Sequence, residues 1–270
     1  MDRRNLFLAA GECLSCVDVD EKLALTDAAA AAFAAASLES HRAQATMCVA
    51  AAPGRPARPR LVSPRDLPQR GLGTREGRAA LVHAVAHIEF NAINLAWDAV
   101  QRFRDMPHQY YCDWIGVAVD EARHFRLLRA RLAEFGHAYG DFDAHDGLWE
   151  MAVKTSASCM ERMALVPRVL EARGLDVTPA MIARLRHAGD EATAAILEII
   201  LREEVAHVAA GSRWFAWCCE REGVDSRAAF ARLVEQHAKG SLRPPFNEPA
   251  RLAAGFTAEE LACLRSAFAA

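Results

Sequence analysis

An acidic residue followed by Glu-x-x-His occurs twice in the chain. The copies read Asp120-Glu121-Ala122-Arg123-His124 and Glu203-Glu204-Val205-Ala206-His207, 83 positions apart (204 − 121). Both lie inside long apolar segments of helical period. Residues i and i+3 share a helix face, so each copy aims a carboxylate and an imidazole at one point. Two such helices facing each other supply two Glu and two His. One further Glu from each of two more helices completes the ligand set of a carboxylate-bridged di-iron or di-manganese centre in a four-helix bundle.

The upstream carboxylates fit that plan. Glu89 precedes Glu121 by 32 positions (121 − 89), and Glu171 precedes Glu204 by 33 (204 − 171). The midpoint of the first interval falls in Arg104-Asp105-Met106-Pro107-His108, which reads as a turn from its Asp and Pro. Folding back there brings Glu89 and Glu121 to the same height on antiparallel neighbours. In the second interval Gly174 reads as a helix C-cap, and Thr178-Pro179 as an N-cap with Pro at the first helical position. Glu171 would then stand near the end of its helix. Glu161 and Glu150 are rivals on the same helix, and Glu161 lies nearer the mirror point of a hairpin whose connection spans Gly174 to Asp190; Glu171 is preferred.

Composition sets the remaining bounds. Of 270 residues, 52% are apolar and 7% aromatic, enough for a helical core of mainly Ala and Leu in one large domain or two small ones. A net charge of −3 predicts neither a polyanion partner nor a membrane surface. Eight cysteines without a disulfide rhythm, Cys218 and Cys219 adjacent among them, suit a reducing cytoplasm. There is no uninterrupted apolar run of about 18 residues, so no spanning helix is expected. The pair Arg3-Arg4 has the look of an export leader, but the apolar run after it is cut at Glu12, and no leader is expected.

Along the chain the pattern predicts an all-α fold. Residues 1–52 form an N-terminal helical extension whose Ala-rich stretch 20–50 reads as one helix. Residues 53–74, with five prolines, read as an extended arm. Residues 75–223 hold the four-helix bundle, with helices over about 75–104, 109–135, 148–174 and 190–222, and a short helix after Pro179. Residues 224–270 form a C-terminal helical extension that starts after Asp225. Its last helix opens on a Thr257…Glu260 capping box. No run of alternating β-branched residues competes.

The faces around the acidic residues are small or aliphatic. Val82, Val85, Ala86, Ala92, Ile93 and Ala96 surround Glu89; Leu197, Ile200, Leu201, Val208 and Gly211 surround Glu204. A buried carboxylate costs several kcal/mol unless a partner offsets it, and a metal ion is one of few adequate partners. The bland alternative is a polar core of Glu, His, Arg123 and Arg202 paired among themselves. Asp120 and Glu203 are placed to accept the second ring N–H of a ligand His, or else to be solvated.

The pattern Glu…Glu-x-x-His…Glu…Glu-x-x-His resembles that of the ferritin-like di-iron carboxylate superfamily. The blocks HAVAHIEFNAI, DWIGVAVDEARHFRLLRARL, YGDFDAHDGLWEMA, MALVPRVLEARGLD, EEVAHVAAGSRWF and RPPFNEPARLAAGF are more closely similar to a ferritin-like family of unassigned function. The resemblance covers roughly residues 55–256. The resemblance implies a ferritin-like four-helix bundle with added terminal helices and two Fe held by Glu89, Glu121, His124, Glu171, Glu204 and His207. It places Glu171, and not Glu161, inside a matching block. Asp would be the more familiar residue at Glu203.

Hard, anionic ligation favours iron that activates oxygen, with Fe/Mn or Mn as alternatives on the same ligands. The expected function is therefore an O₂-dependent oxidase or hydroxylase of an organic small molecule, supplied by an electron donor. The alternative is a non-catalytic or ferroxidase-type iron protein. A radical generator would need a Tyr one turn past a ligand His, and positions 128 and 211 are Leu and Gly.

Other features carry blander expectations. His83 and His87 lie opposite Glu89 on their helix and continue as a polar stripe through Asn94, Asp98 and Gln101, for interhelix hydrogen bonds or a substrate-side role. The loop His137–Asp146 connects helices or covers the site. Seven Arg between Arg55 and Arg78 could meet phosphate, yet the arm has no aromatic for base stacking, so nucleic acid is not expected. A single Cys13-x-x-Cys16 has no partner pair. Trp97, Trp114, Trp214 and Trp217 read as core. The long terminal additions suit a substrate pocket or a homodimer interface.

Overall fold

The structure, a computed structural model, describes residues 4–40, 52–238 and 242–266. Among these it is all-α apart from one two-residue parallel strand pair, β1 (Arg4–Asn5) with β2 (Leu38–Glu39). The chain divides into two compact units, 1–149 and 150–270.

The first unit starts with α1 (Leu6–Ser15) and α2 (Val19–Ala34). Asn5 and Asp18 cap them, their side chains accepting from Phe7 N at 2.8 Å and Glu21 N at 2.8 Å. The Ala-rich stretch does not stay helical to residue 50. α2 ends at Ala34 because Ala36 turns to a φ of 52°, after which the chain enters β2. Residues 41–51 lie outside the described part. Then follow α3 (Arg75–Arg102), opened by a Thr74 cap, and α4 (His108–Glu134). They form a hairpin, with α1 packed on α3 and α2 on α4. α3 is long and apolar enough to cross a membrane by composition, but 78% of its apolar window is buried inside the protein.

A single buried ammonium ties these helices together. Lys22 Nζ donates to the carbonyls of Cys13 at 2.7 Å and Leu14 at 3.0 Å, both in the last turn of α1, where carbonyls lack helical partners. It also donates to Asn94 Oδ1 on α3 at 2.7 Å. Trp97 Nε1 reaches Thr26 Oγ1 at 3.0 Å, binding α3 to α2.

The proline-rich arm is strapped to the loop after α4. Val62 N donates to Ala144 O at 2.8 Å, Ala144 N to Arg60 O at 3.0 Å, and Arg55 and Arg60 pair with Asp146 and Asp143 at 2.9 and 2.6 Å. Gly140 is needed where strap and loop meet. Its φ of +108° suits only glycine, and a Cβ there would stand 2.9 Å from Arg58 Cβ.

α5 (Gly147–Lys154) carries the boundary between the units. The second unit comprises α6 (Cys159–Leu165), a π-helical turn (Val166–Glu171), α7 (Ala172–His187), α8 (Glu191–Glu222), α9 (Ser226–His237), α10 (Glu248–Ala253) and α11 (Ala258–Ser266). The expected helix over 148–174 is corrected in its middle and at its end. It breaks after Lys154 and restarts at Cys159, where the Ser158 side chain accepts from Glu161 N. It then runs on through Gly174 and Pro179, which are neither C-cap nor N1. Gly174 lacks the positive φ of a capping glycine. Pro179 has no N–H for the carbonyl four residues back, that of Leu175, and Asn247 Nδ2 donates to this carbonyl at 3.1 Å instead. A tertiary contact thus removes much of the cost of a proline in mid-helix. Elsewhere the expected signals hold: Gly223 ends α8 at φ 68°, Asp225 caps α9, and Thr257 with Glu260 makes the reciprocal box at α11.

Candidate metal centre

In the first unit, Glu89 on α3 meets Glu121 and His124 on α4. The turn between these helices sets Glu89 level with the one-turn pair. His124 Nδ1 lies 3.1 Å from Glu89 Oε2 and 3.4 Å from Glu121 Oε2. One donor atom from each of the three residues falls within 4.8 Å of the others. They are 4%, 1% and 0% exposed, so water cannot dilute their charge.

The electrostatics of this trio follow from that burial. Burial and the neighbouring Glu121 push the Glu89 carboxyl well above the usual range. Burial opposes charge on His124 as well, but the adjacent Glu121 and Glu89 outweigh it and hold the ring strongly towards its protonated form. Two carboxylates in so small a space call for positive charge. A divalent cation supplies it in a single ion, and the mixed O/N donor set suits one.

The second unit repeats half of the arrangement. On α8, Glu204 and His207 are buried, with His207 Nδ1 3.3 Å from Glu204 Oε1. In both units Nδ1 faces the carboxylate three residues earlier, which leaves Nε2 on the far side of the ring. Glu171 closes the π turn, which packs on α8, and one of its carboxylate oxygens is shielded from solvent. Of its rivals, Glu161 occupies the first turn of α6 beside the Ser158 cap, and Glu150 is exposed on α5. Asp120 and Glu203 are partly exposed; Asp120 accepts from Arg123 at 3.0 Å, and Glu203 lies 3.8 Å from Arg202. The π turn itself was not foreseen. Pro167, four residues before Glu171 inside a helical pattern, was the available signal.

His83 and His87 form hydrogen bonds, though to the loop after α4 rather than to another helix. His83 Nε2 accepts from Gly140 N at 2.9 Å, and His87 Nδ1 meets the Tyr139 hydroxyl at 2.8 Å. The loop after α4 therefore covers these two histidines. Burial draws both histidines down to about 4. The unfolded chain, titrating near 6.5, then binds more protons than the folded one between these values. Stability contributed by the neutral rings is full above pH 6.5 and falls as pH drops towards 4, on the order of 3 kcal/mol for each ring. Urea unfolding at pH 7.5 and 4.5 should show the loss, and His83→Asn should reduce it. An equal loss in that variant would exclude His83 as a source.

Fold and cluster define the class: an all-α protein with buried Glu and His side chains that could hold a metal ion. The chain belongs to the family described as Protein of unknown function (DUF455), which matches residues 15–262. It is 46% identical over 213 residues to a protein of Haemophilus influenzae (strain ATCC 51907 / DSM 11121 / KW20 / Rd) bearing the name Uncharacterized protein, covering 76% of this chain and 74% of that one. No solved structure matches the chain.

Proposed function

We propose that the chain is a dinuclear iron–carboxylate protein of ferritin-like architecture. The α3–α4 hairpin would supply Glu89, Glu121 and His124 to the centre, and the second unit Glu171, Glu204 and His207. The observation that carries this reading is the buried Glu89–Glu121–His124 cluster. The repeat of the Glu-x-x-His geometry on α8 supports it, because a dinuclear centre needs the motif twice. Asp120 and Glu203 would accept the Nε2 protons of the ligand histidines and set their tautomers.

Iron fits a set of four carboxylates and two imidazoles, and manganese is the alternative on the same ligands. Two bridged ions would supply a place where O₂ accepts electrons in pairs. The chain's own part is to hold Glu89, Glu121 and His124 away from bulk water and to keep Nδ1 of each histidine turned to its carboxylate. On this reading the protein is an O₂-dependent oxidase or hydroxylase of an organic small molecule, served by an electron donor. The described cysteines are all free thiols, as a reducing cytoplasm would keep them.

The test is to load anaerobic protein with Fe(II), admit O₂ and follow the iron. About two ions per chain that cycle with added reductant are expected of the enzyme. Many irons oxidised per chain, or mineral formation, would instead establish a ferroxidase. No specific metal uptake would exclude both.

A further inference from the structure

The π turn ending at Glu171 is held by groups that the metal-ligand pattern does not use. A π turn inserts one residue relative to an α-helix, which rotates everything beyond it by about 100°. The direction of Glu171 therefore depends on the turn persisting, and such turns are rare unless their surroundings hold them.

Two sets of contacts do so within this unit. The Pro167 ring fits against α8 only because residue 211 is Gly, where a Cβ would stand 2.3 Å from Pro167 Cγ. Arg168 is 2% exposed and donates to Glu260 Oε1 at 2.8 Å. Its guanidinium lies 4.9, 4.3 and 4.5 Å from the ring centres of Phe215, Phe230 and Phe256. Glu260 is itself fixed: its Oε2 accepts from Thr257 N at 2.8 Å, and its own N–H binds Thr257 Oγ1 at 3.1 Å. A buried arginine in the π turn is thus clasped by the capping box of α11, 92 positions away (260 − 168).

We propose that Arg168, held by Glu260, is a positioning residue that keeps Val166–Glu171 π-helical and so presents Glu171 as a metal ligand. The inference rests on the dinuclear reading above. It makes the C-terminal helix a determinant of metal affinity, although that helix contributes no ligand.

The test is anaerobic titration with Fe(II), and with Co(II) for its visible spectrum, of the wild type, Glu171→Gln, Glu260→Gln and the double variant. Glu260→Gln keeps the side-chain shape and the Thr257 hydrogen bond but loses the charge facing Arg168. It should weaken one of the two ions about tenfold and change the Co(II) spectrum in the same sense as Glu171→Gln. The double variant should bind no more weakly than Glu171→Gln alone, because both changes act through one ligand. Additive losses, or Glu260→Gln binding both ions as the wild type does, would overturn the inference and leave the metal centre standing. A wild type that binds no metal would overturn both. Should Glu260→Gln not fold, Phe256→Leu thins the cage while keeping the ion pair, and a smaller loss at the same ion is expected; no loss there overturns the inference.

Discussion

On the dinuclear reading, replacing Glu121 with Gln is expected to reduce bound metal from about two ions per chain to one or fewer. Its carboxylate stands 3.4 Å from His124 Nδ1 and is 1% exposed, so no water-filled space offers a substitute donor. The same change should act differently on the two forms of the protein. Without metal, the amide relieves the Glu89 carboxyl of a neighbouring charge but also removes a carboxylate that holds His124 protonated, so thermal stability in chelator should change little. With metal, the variant forgoes the stabilisation that a bound ligand brings, about 3–4 kcal/mol at ligand concentrations 100 to 1,000 times Kd. Glu161→Gln should change neither, since Glu161 sits in the first turn of α6 beside its Ser158 cap. Elemental analysis and paired melting curves decide the matter. A variant that retains two ions removes Glu121 from the ligand set.

Asp176→Ala is expected to cost about 3–5 kcal/mol of stability, the usual result of leaving a buried charge without its partner. Asp176 receives Arg251 Nε at 2.9 Å and a second guanidinium nitrogen at 2.7 Å, and both side chains are 0% exposed. Its Oδ1 also accepts from Asn247 N at 2.9 Å, next to the Asn247 side chain that serves the carbonyl left over by Pro179. Loss of Asp176 therefore strands a guanidinium and loosens the contact that lets α7 pass its proline. Urea unfolding measures the cost. The double change Asp176→Ala with Arg251→Met should recover much of it, because an apolar side chain fits between Phe246 and Phe256 without a counter-charge. A single variant within about 1 kcal/mol of the wild type would show the pair to be dispensable.

The ends of helices were legible at several places where a local group satisfies them; the Ser158 cap that starts α6 is equally local and was missed. Gly223, Asp225 and the Thr257–Glu260 box act on neighbours within a few residues, and each was readable as a cap. The α3–α4 turn was equally local, and it carried the expectation that Glu89 stands level with Glu121. Pro179 misled for the opposite reason. What keeps α7 running through it is Asn247, about 70 positions further along and invisible to any window of sequence.

From the residues alone came the helical class, the doubled Glu-x-x-His motif and the grouping of Glu89, Glu121 and His124, because a 3.6-residue period and a short turn are properties of neighbouring positions. The tertiary structure alone decided that α7 runs on through Pro179, that Arg168 in the π turn meets Glu260, and that the arm is strapped to the loop after α4. Those outcomes depend on which distant group fills a vacated hydrogen bond or faces a buried charge. Such pairings appear only once the chain has folded.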